Sequence, residues 1–167
     1  MRITDALLGE HAVFYAQLDH LEGELADDVP LEAVRRHAGM LAAALEGHAR
    51  LEDELLLDAA SEEAGGREEG PLAVMRREHR EIEELLDDAR SVPDAARARD
   101  LLLEAVHTAR DHFLKEEHAA FPRAVSLLGS EALERLGARW AEERGVHLER
   151  GRSAGRAGPE AGAPDRR

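Results

Sequence analysis

The chain has 167 residues, with 36 acidic against 22 basic side chains for a net charge of -14, no cysteine, and only 3% aromatic residues. Such a length makes one ordinary domain, able to bury roughly 70% of the surface its unfolded form exposes, and so acidic a surface excludes nucleic acid and anionic lipid as expected partners. Without cysteine there are no disulfides, iron-sulfur clusters or thiol chemistry, and His, Asp, Glu and Tyr are left as metal ligands.

Leu, Ala, Glu and Arg dominate and β-branched runs are scarce, which predicts an all-α protein. The N-terminus, MRITDALLGEH, has no hydrophobic signal core. No run approaches the roughly 20 apolar residues that span a bilayer, so a soluble, cytoplasmic protein with no membrane partner is expected. A first helix is predicted over about residues 3–26 and ends at ADDVP, and a second over 31–59 runs to SEEAGGREEGP. A third over 72–90 ends at SVPD, a fourth over 94–127 ends at LLGSEA, and SEALERLGARWAEER makes a short fifth. Pro30, Pro71 and Pro93 sit near helix starts, where their fixed φ and missing N–H are tolerated. The tail beyond Gly145 is rich in Gly, Ala, Pro and Arg without apolar periodicity, so residues 1–144 are expected as the folded domain and 145–167 as a disordered tail.

The two halves of the chain resemble one another. GEHAVFYAQLDHL in the first helix matches REHREIEELLDDA in the third, and GHARLEDELLLDA in the second matches DHFLKEEHAAFPR in the fourth. Each half is a helical hairpin with Glu-His on its first helix and His-x-x-x-Glu on its second. Packed together they predict an up-down four-helix bundle built from two repeated hairpins, with the fifth helix appended.

His-x-x-x-Glu occurs as His20 with Glu24, His48 with Glu52, His79 with Glu83, and His112 with Glu116. On an exposed helix such a pair is a solvated contact worth a few tenths of a kcal/mol. The helical faces separate the cases, since residues advance about 100° each. His11 lies within a stripe of Ile3, Leu7, Phe14, Leu18, Leu21 and Leu25, whereas His20 falls on the opposite side. His48 shares its face with Leu41, Ala44, Leu51, Leu55 and Ala59, and His79 with Leu72, Met75, Ile82 and Leu86. His112 lies with Leu101, Ala105, Ala109 and Ala119, and Glu52 and Glu116 sit beside their histidines. Four inward histidines and two carboxylates in a dry core would cost several kcal/mol for each unpaired charge, and metal cations remove that cost. His37, His107, His118 and His147 fall outside this pattern. A nitrogen and oxygen donor set suits iron, manganese or zinc, and two carboxylates placed to bridge favour two ions. The ferritin-like di-iron arrangement needs two Glu-x-x-His motifs, and Glu104 to His107, facing away from the core, is the one present.

EHAVFYAQLDHLE, HARLEDELLL, EHREIEELLDDA, HFLKEEHAAFP and the closing SEALERLGARWAEER together resemble the hemerythrin-like family, or HHE cation-binding domain, over about residues 3–144. The resemblance implies two non-haem iron ions, oxo- or hydroxo-bridged, with His11, His48, His79 and His112 as terminal ligands and Glu52 and Glu116 as bridges. Oxygen-carrying hemerythrins have a further histidine one turn after the third helix's histidine, where this chain has Glu83. The equivalent position in the first helix is Tyr15. Glu83 could be an additional ligand, a base beside the ligands, or solvated; Tyr15 could be an ordinary core or rim aromatic, a phenolate ligand, or a hydrogen-bond donor to something bound at iron. An anionic donor or an open position at Glu83 argues against reversible oxygen carriage.

The function expected on this resemblance is a di-iron protein that binds or senses dioxygen, peroxide or nitric oxide, in oxidative or nitrosative stress. The alternatives are a di-iron enzyme that decomposes peroxide or reduces nitric oxide, an iron storage or donation protein, and a metal-free helical interaction module. A phosphotransfer bundle would need an exposed histidine beside a Lys-Gly segment, and the chain has none. Whether it is an enzyme, which ligand it meets and which protein partner it has stay open at this level.

Overall fold

The computed structural model describes residues 1–25, 28–66 and 70–147; most of the expected tail, residues 148–167, lies outside the described residues. All regular structure among the described residues is helical: α1 (Ile3–Glu24), α2 (Leu31–Leu51), α3 (Asp58–Glu63), α4 (Pro71–Ser91), α5 (Ala95–Lys115) and α6 (Phe121–Glu143). Helix α2 runs into α3 through a π-helical stretch, Glu52–Leu57, and α5 runs into α6 through a second, Glu116–Ala120. The result is four long helical runs that form a bundle. None of the helices is long and apolar enough to cross a membrane, among the described residues.

Local chemistry sets the ends. Pro71 opens α4 directly after Gly70, whose φ of 75° suits a residue without a Cβ. Asp94 caps α5 by accepting the Arg97 backbone N–H at 2.7 Å. At Gly129 (φ 72°, ψ 168°) the final run is kinked, within the LLGSEA segment where a break is expected.

Two apolar clusters fill the bundle. One contains Leu7, Leu51, Leu55, Met75, Phe121 and Leu133, and the other contains Phe14, Leu18, Leu45, Ile82, Leu102 and Phe113. In sequence, each of α1, α2 and α4 passes from one cluster to the other across a histidine: Leu7 to His11 to Phe14, Leu45 to His48 to Leu51, and Met75 to His79 to Ile82. The polar residues therefore form a layer between two dry regions.

The π-helical stretches overturn one expectation. Regular α-helical geometry puts Ala59 and Ala119 on the inward stripes, but Ala59 is half-buried and Ala119 exposed, while Ala60 and Ala120 are the fully buried alanines. A π turn holds an extra residue, so the inward register moves by one beyond it. Both helices shift in the same way, immediately after Glu52 and Glu116.

The N-terminus is held against the last helix at Gly137, where an added Cβ would collide with the Met1 carbonyl oxygen and the backbone of Arg2 and Ile3. Gly137→Ala is expected to destabilise the fold by about 1–3 kcal/mol. Gly9→Ala, in the α1 interior with nothing within 4 Å of the new methyl group, should instead stabilise by about 0.5–1 kcal/mol. Thermal denaturation checks both, and equal effects of the two substitutions would show that the close contact at Gly137 is not tight.

Candidate metal centre

All six residues singled out as a cluster in the sequence converge between the apolar layers. His11, His48, Glu52, His112 and Glu116 are buried to within 1% of complete enclosure, and the His79 side chain keeps 9% exposure. The decoy pair behaves as expected: His20 and Glu24 are both exposed.

Glu116 stands at the centre of the group. Its Oε2 lies 3.1 Å from His11 Nε2, and its Oε1 lies 2.7 Å from His112 Nε2 and 3.5 Å from His79 Nε2. The Nε2 atoms of His11 and His48 are 3.2 Å apart. Two groups result, His11–His48–Glu116 and His79–His112–Glu116, in each of which the donor atoms lie within 4.8 Å of one another. Glu52 stands farther off, with Oε2 3.6 Å from His48 Nε2 and 3.8 Å from His79 Nε2. It faces one histidine of each group and completes neither.

Apart from the contact between His11 and His48, these approaches are close but are not aligned as hydrogen bonds. Both oxygens of Glu52, both of Glu116, and the Nε2 atoms of His79 and His112 are buried without a hydrogen-bond partner. Six orphaned donor atoms aimed into one small space would be costly in a metal-free core. A set of imidazole nitrogens and carboxylate oxygens converging in this way fits cations such as iron, manganese or zinc.

The opposite edge of each imidazole is satisfied, always by an acid. His48 Nδ1 meets Glu10 at 2.7 Å and His112 Nδ1 meets Glu78 at 3.1 Å. His11 Nδ1 meets Glu117 at 2.9 Å and His79 Nδ1 meets Asp53 at 3.2 Å. Such a partner fixes the ring's orientation and tautomer and raises the basicity of the free nitrogen. The wiring follows the repeat. Glu10 and Glu78 precede the histidines of α1 and α4 and act within their own half, whereas Asp53 and Glu117 follow the central glutamates and reach into the other half.

Two of these acids are backed by cations: Arg144 lies 2.7 Å from Glu10, and Lys115 lies 2.6 Å from Glu78. Burial pushes the Glu10 and Glu78 carboxyls up, but the histidine and cation on each side outweigh it and hold both below the ordinary range. Each acid is thus an anion facing a ring N–H. Sequence reading did not single out Glu10, Asp53, Glu78, Glu117, Lys115 or Arg144. The available signal was an acid beside the ligand position in both halves: Glu10-His11 and Glu78-His79, then Glu52-Asp53 and Glu116-Glu117.

Within the layer, burial and the neighbouring Glu116 raise the Glu52 carboxyl well above its usual value. For Glu116 burial works in the same upward direction, but His11, His112 and His79 outweigh it and hold the group well below. Burial lowers His48. His79 moves the other way: Asp53 and Glu116 overcome its burial and raise it to about 9.

The two residues whose roles the sequence left open stand outside the donor groups. Tyr15 is half-buried and its hydroxyl donates to Glu117 Oε1 at 3.3 Å, with its ring edge-on to Phe113. Burial, reinforced by the Glu117 charge, pushes its phenol up to about 12. Glu83 is exposed and lines a cavity of about 380 Å³ that also touches His48, His79 and His112.

A family model described as the hemerythrin HHE cation binding domain matches residues 2–124. No curated protein and no solved structure matches the chain.

Two outcomes follow from this geometry. In the metal-free protein, the raised His79 contributes stability that is complete below its unfolded value of 6.5 and is lost as pH climbs through about 9. The melting temperature of metal-free protein is therefore expected to fall across that window, and a profile unchanged by His79→Gln would contradict the assignment. Glu10→Gln and Glu78→Gln remove the anion behind His48 and His112 and should each weaken metal affinity about 10- to 100-fold, measured by competition with a chromophoric chelator.

Proposed function

The chain belongs to the hemerythrin HHE cation-binding family, and on that premise we propose that it is a non-haem di-iron protein that binds or senses a small ligand, namely dioxygen, peroxide or nitric oxide. In this reading His11, His48, His79 and His112 would hold the two ions as terminal ligands, and Glu116 and Glu52 would be the carboxylates shared between them. The observation that carries it is Glu116, which offers one oxygen to each of two histidine pairs. Glu52 supports it with two buried oxygens that lack any other partner.

The reading treats residues 1–144 as one domain, an up-down bundle of two repeated hairpins closed by a short fifth helix after Gly129. The repeat-related pairing of Glu10 with His48 and of Glu78 with His112 supports that symmetry. Cytoplasmic location, and action in oxidative or nitrosative stress, belong to the same proposal.

Bound iron would supply Lewis acidity and a source or sink of electrons. The protein's own groups do the rest. The four acids behind the histidines hold each Nδ1 as a donor, so each Nε2 is left as a lone pair aimed inward. Tyr15, whose hydroxyl donates to Glu117 and belongs to neither donor group, acts as a hydrogen-bond donor that fixes the acid behind His11. Glu83 is solvated at the cavity mouth. The apolar clusters on both sides keep bulk water from the layer and strengthen every electrostatic interaction within it. Ligands so firmly held from behind favour a resident centre over iron that is stored and handed on.

Metal analysis after expression in iron-supplied medium tests the proposal. About two irons per chain are expected, with near-ultraviolet charge-transfer bands, and Glu116→Ala should lose both. A colourless chain that takes up no iron would end it. Reversible spectral change with nitric oxide, without consumption of the gas, supports a binder. Sustained turnover of peroxide or nitric oxide that Glu52→Ala and Glu116→Ala abolish would make the protein an enzyme instead.

A further inference from the structure

We infer that an outside ligand reaches the centre between α2 and α4 and is taken up on its His79–His112 side, the ligand being a small polar molecule or anion that offers a lone pair. The inference rests on the di-iron reading and deepens it.

The two donor groups are enclosed very differently. On the first side, the His11 ring is stacked on Phe113 at 4.2 Å and on Phe121 at 5.5 Å between centroids. Phe14 stands edge-on to His48 at 5.2 Å. All three phenylalanines are buried, so this side meets close-packed rings. A second cavity, of about 700 Å³, opens near it, but its lining includes Glu10 and Phe14 and none of the six donor residues.

On the other side the wall is open. The cavity of about 380 Å³ is lined by His79 and His112 together with His48, and not by His11. His79 is also the least enclosed of the four imidazole side chains, at 9% exposure against 1–2% for the rest. Glu83 is one helical turn beyond His79, where its side chain could have turned inward; it is exposed and lines the cavity instead. His79 and His112, with Glu116 and Glu52 shared between the two sides, therefore stand on a side with free volume in front of it. A metal site with an open face toward a cavity is one that can accept a ligand from outside.

The charge of the entrance limits what enters. The chain as a whole has 36 acids to 22 basic residues, yet Arg50, Arg76, Arg80 and Arg90 line this cavity, matched by an equal number of acids. The local balance removes the repulsion that the rest of the surface would impose on an anion. Ile82, Leu86 and Phe113 form its apolar wall, so the ligand must be small enough to shed its water.

Azide is the probe, and its association with iron-loaded full-length protein is followed by stopped-flow absorbance. Glu83→Trp places a bulky ring on an exposed position of the cavity wall and should slow azide association at least about tenfold, with iron content and melting temperature kept. Glu83→Ala removes the same charge without blocking and should leave the rate equal or faster. Val13→Trp, on the exposed face of α1 beside the second cavity, should change nothing. Unchanged azide association in fully loaded Glu83→Trp, equal slowing by Glu83→Ala, or slowing by Val13→Trp would each overturn the entry route. Iron content of the wild-type chain, measured on the same samples, reports separately on the di-iron reading itself.

Discussion

The burial of Glu116 and Glu52 between two apolar clusters is the constraint around which the rest of the molecule is arranged. A carboxylate removed from water costs several kcal/mol unless charge or hydrogen bonds replace what it lost. Glu116 lies within 3.5 Å of three histidine nitrogens and Glu52 of none, yet all four of their oxygens are left without a hydrogen-bond partner. A centre of this kind is poorly satisfied by protein alone. Cations within the layer would answer all of its unpaired atoms together, which is why family membership and local chemistry point in the same direction.

The outer ring of acids explains how the layer keeps its geometry. Glu10 and Glu78 act within their own halves, and Asp53 and Glu117 cross to the other half, so the four helical runs are tied to each other through the imidazoles. The π turns make the crossing possible. More residues per turn means a smaller rotation between neighbours, so Glu52 can face the centre while Asp53 still reaches His79, and Glu116 and Glu117 divide the same work on the opposite run. Arg144 carries the arrangement beyond residues 2–124, since this residue at the end of α6 holds the acid behind His48. The symmetry stops at the rim: phenylalanines close one side, and the other opens between α2 and α4.

The inward placement of His11, His48, His79 and His112 was legible because the apolar stripes of their helices have the α-helical period, and that period says which face is buried. The same helical faces set aside the pair at His20 and Glu24, and the internal repeat coupled Glu52 with Glu116. The register after each central glutamate was not legible: Ala59 and Ala119 follow from regular α-helical geometry, and only the π turns replace them with Ala60 and Ala120. Glu83 marks another limit. It lies about 40° from His79 on a helical wheel, and a long flexible side chain at that angle can turn either way; the fold turns it outward. The acids behind the histidines were on view as neighbours of the ligand positions, but in a chain with 36 acidic residues their presence carries little information without contacts.

The central claim is that these buried carboxylates are kept for a cation and against the stability of the bare fold. Melting temperatures of the wild-type chain and Glu52→Gln, each measured metal-free and iron-loaded, test it most directly. The account predicts that metal-free Glu52→Gln melts at or above the wild type, because an amide replaces a buried carboxyl that has no hydrogen-bond partner and stands beside Glu116, and that it loses much of the rise iron gives the wild type. A substitution that lowers the metal-free and iron-loaded melting temperatures by the same amount would contradict it, since Glu52 would then serve the fold and not the metal.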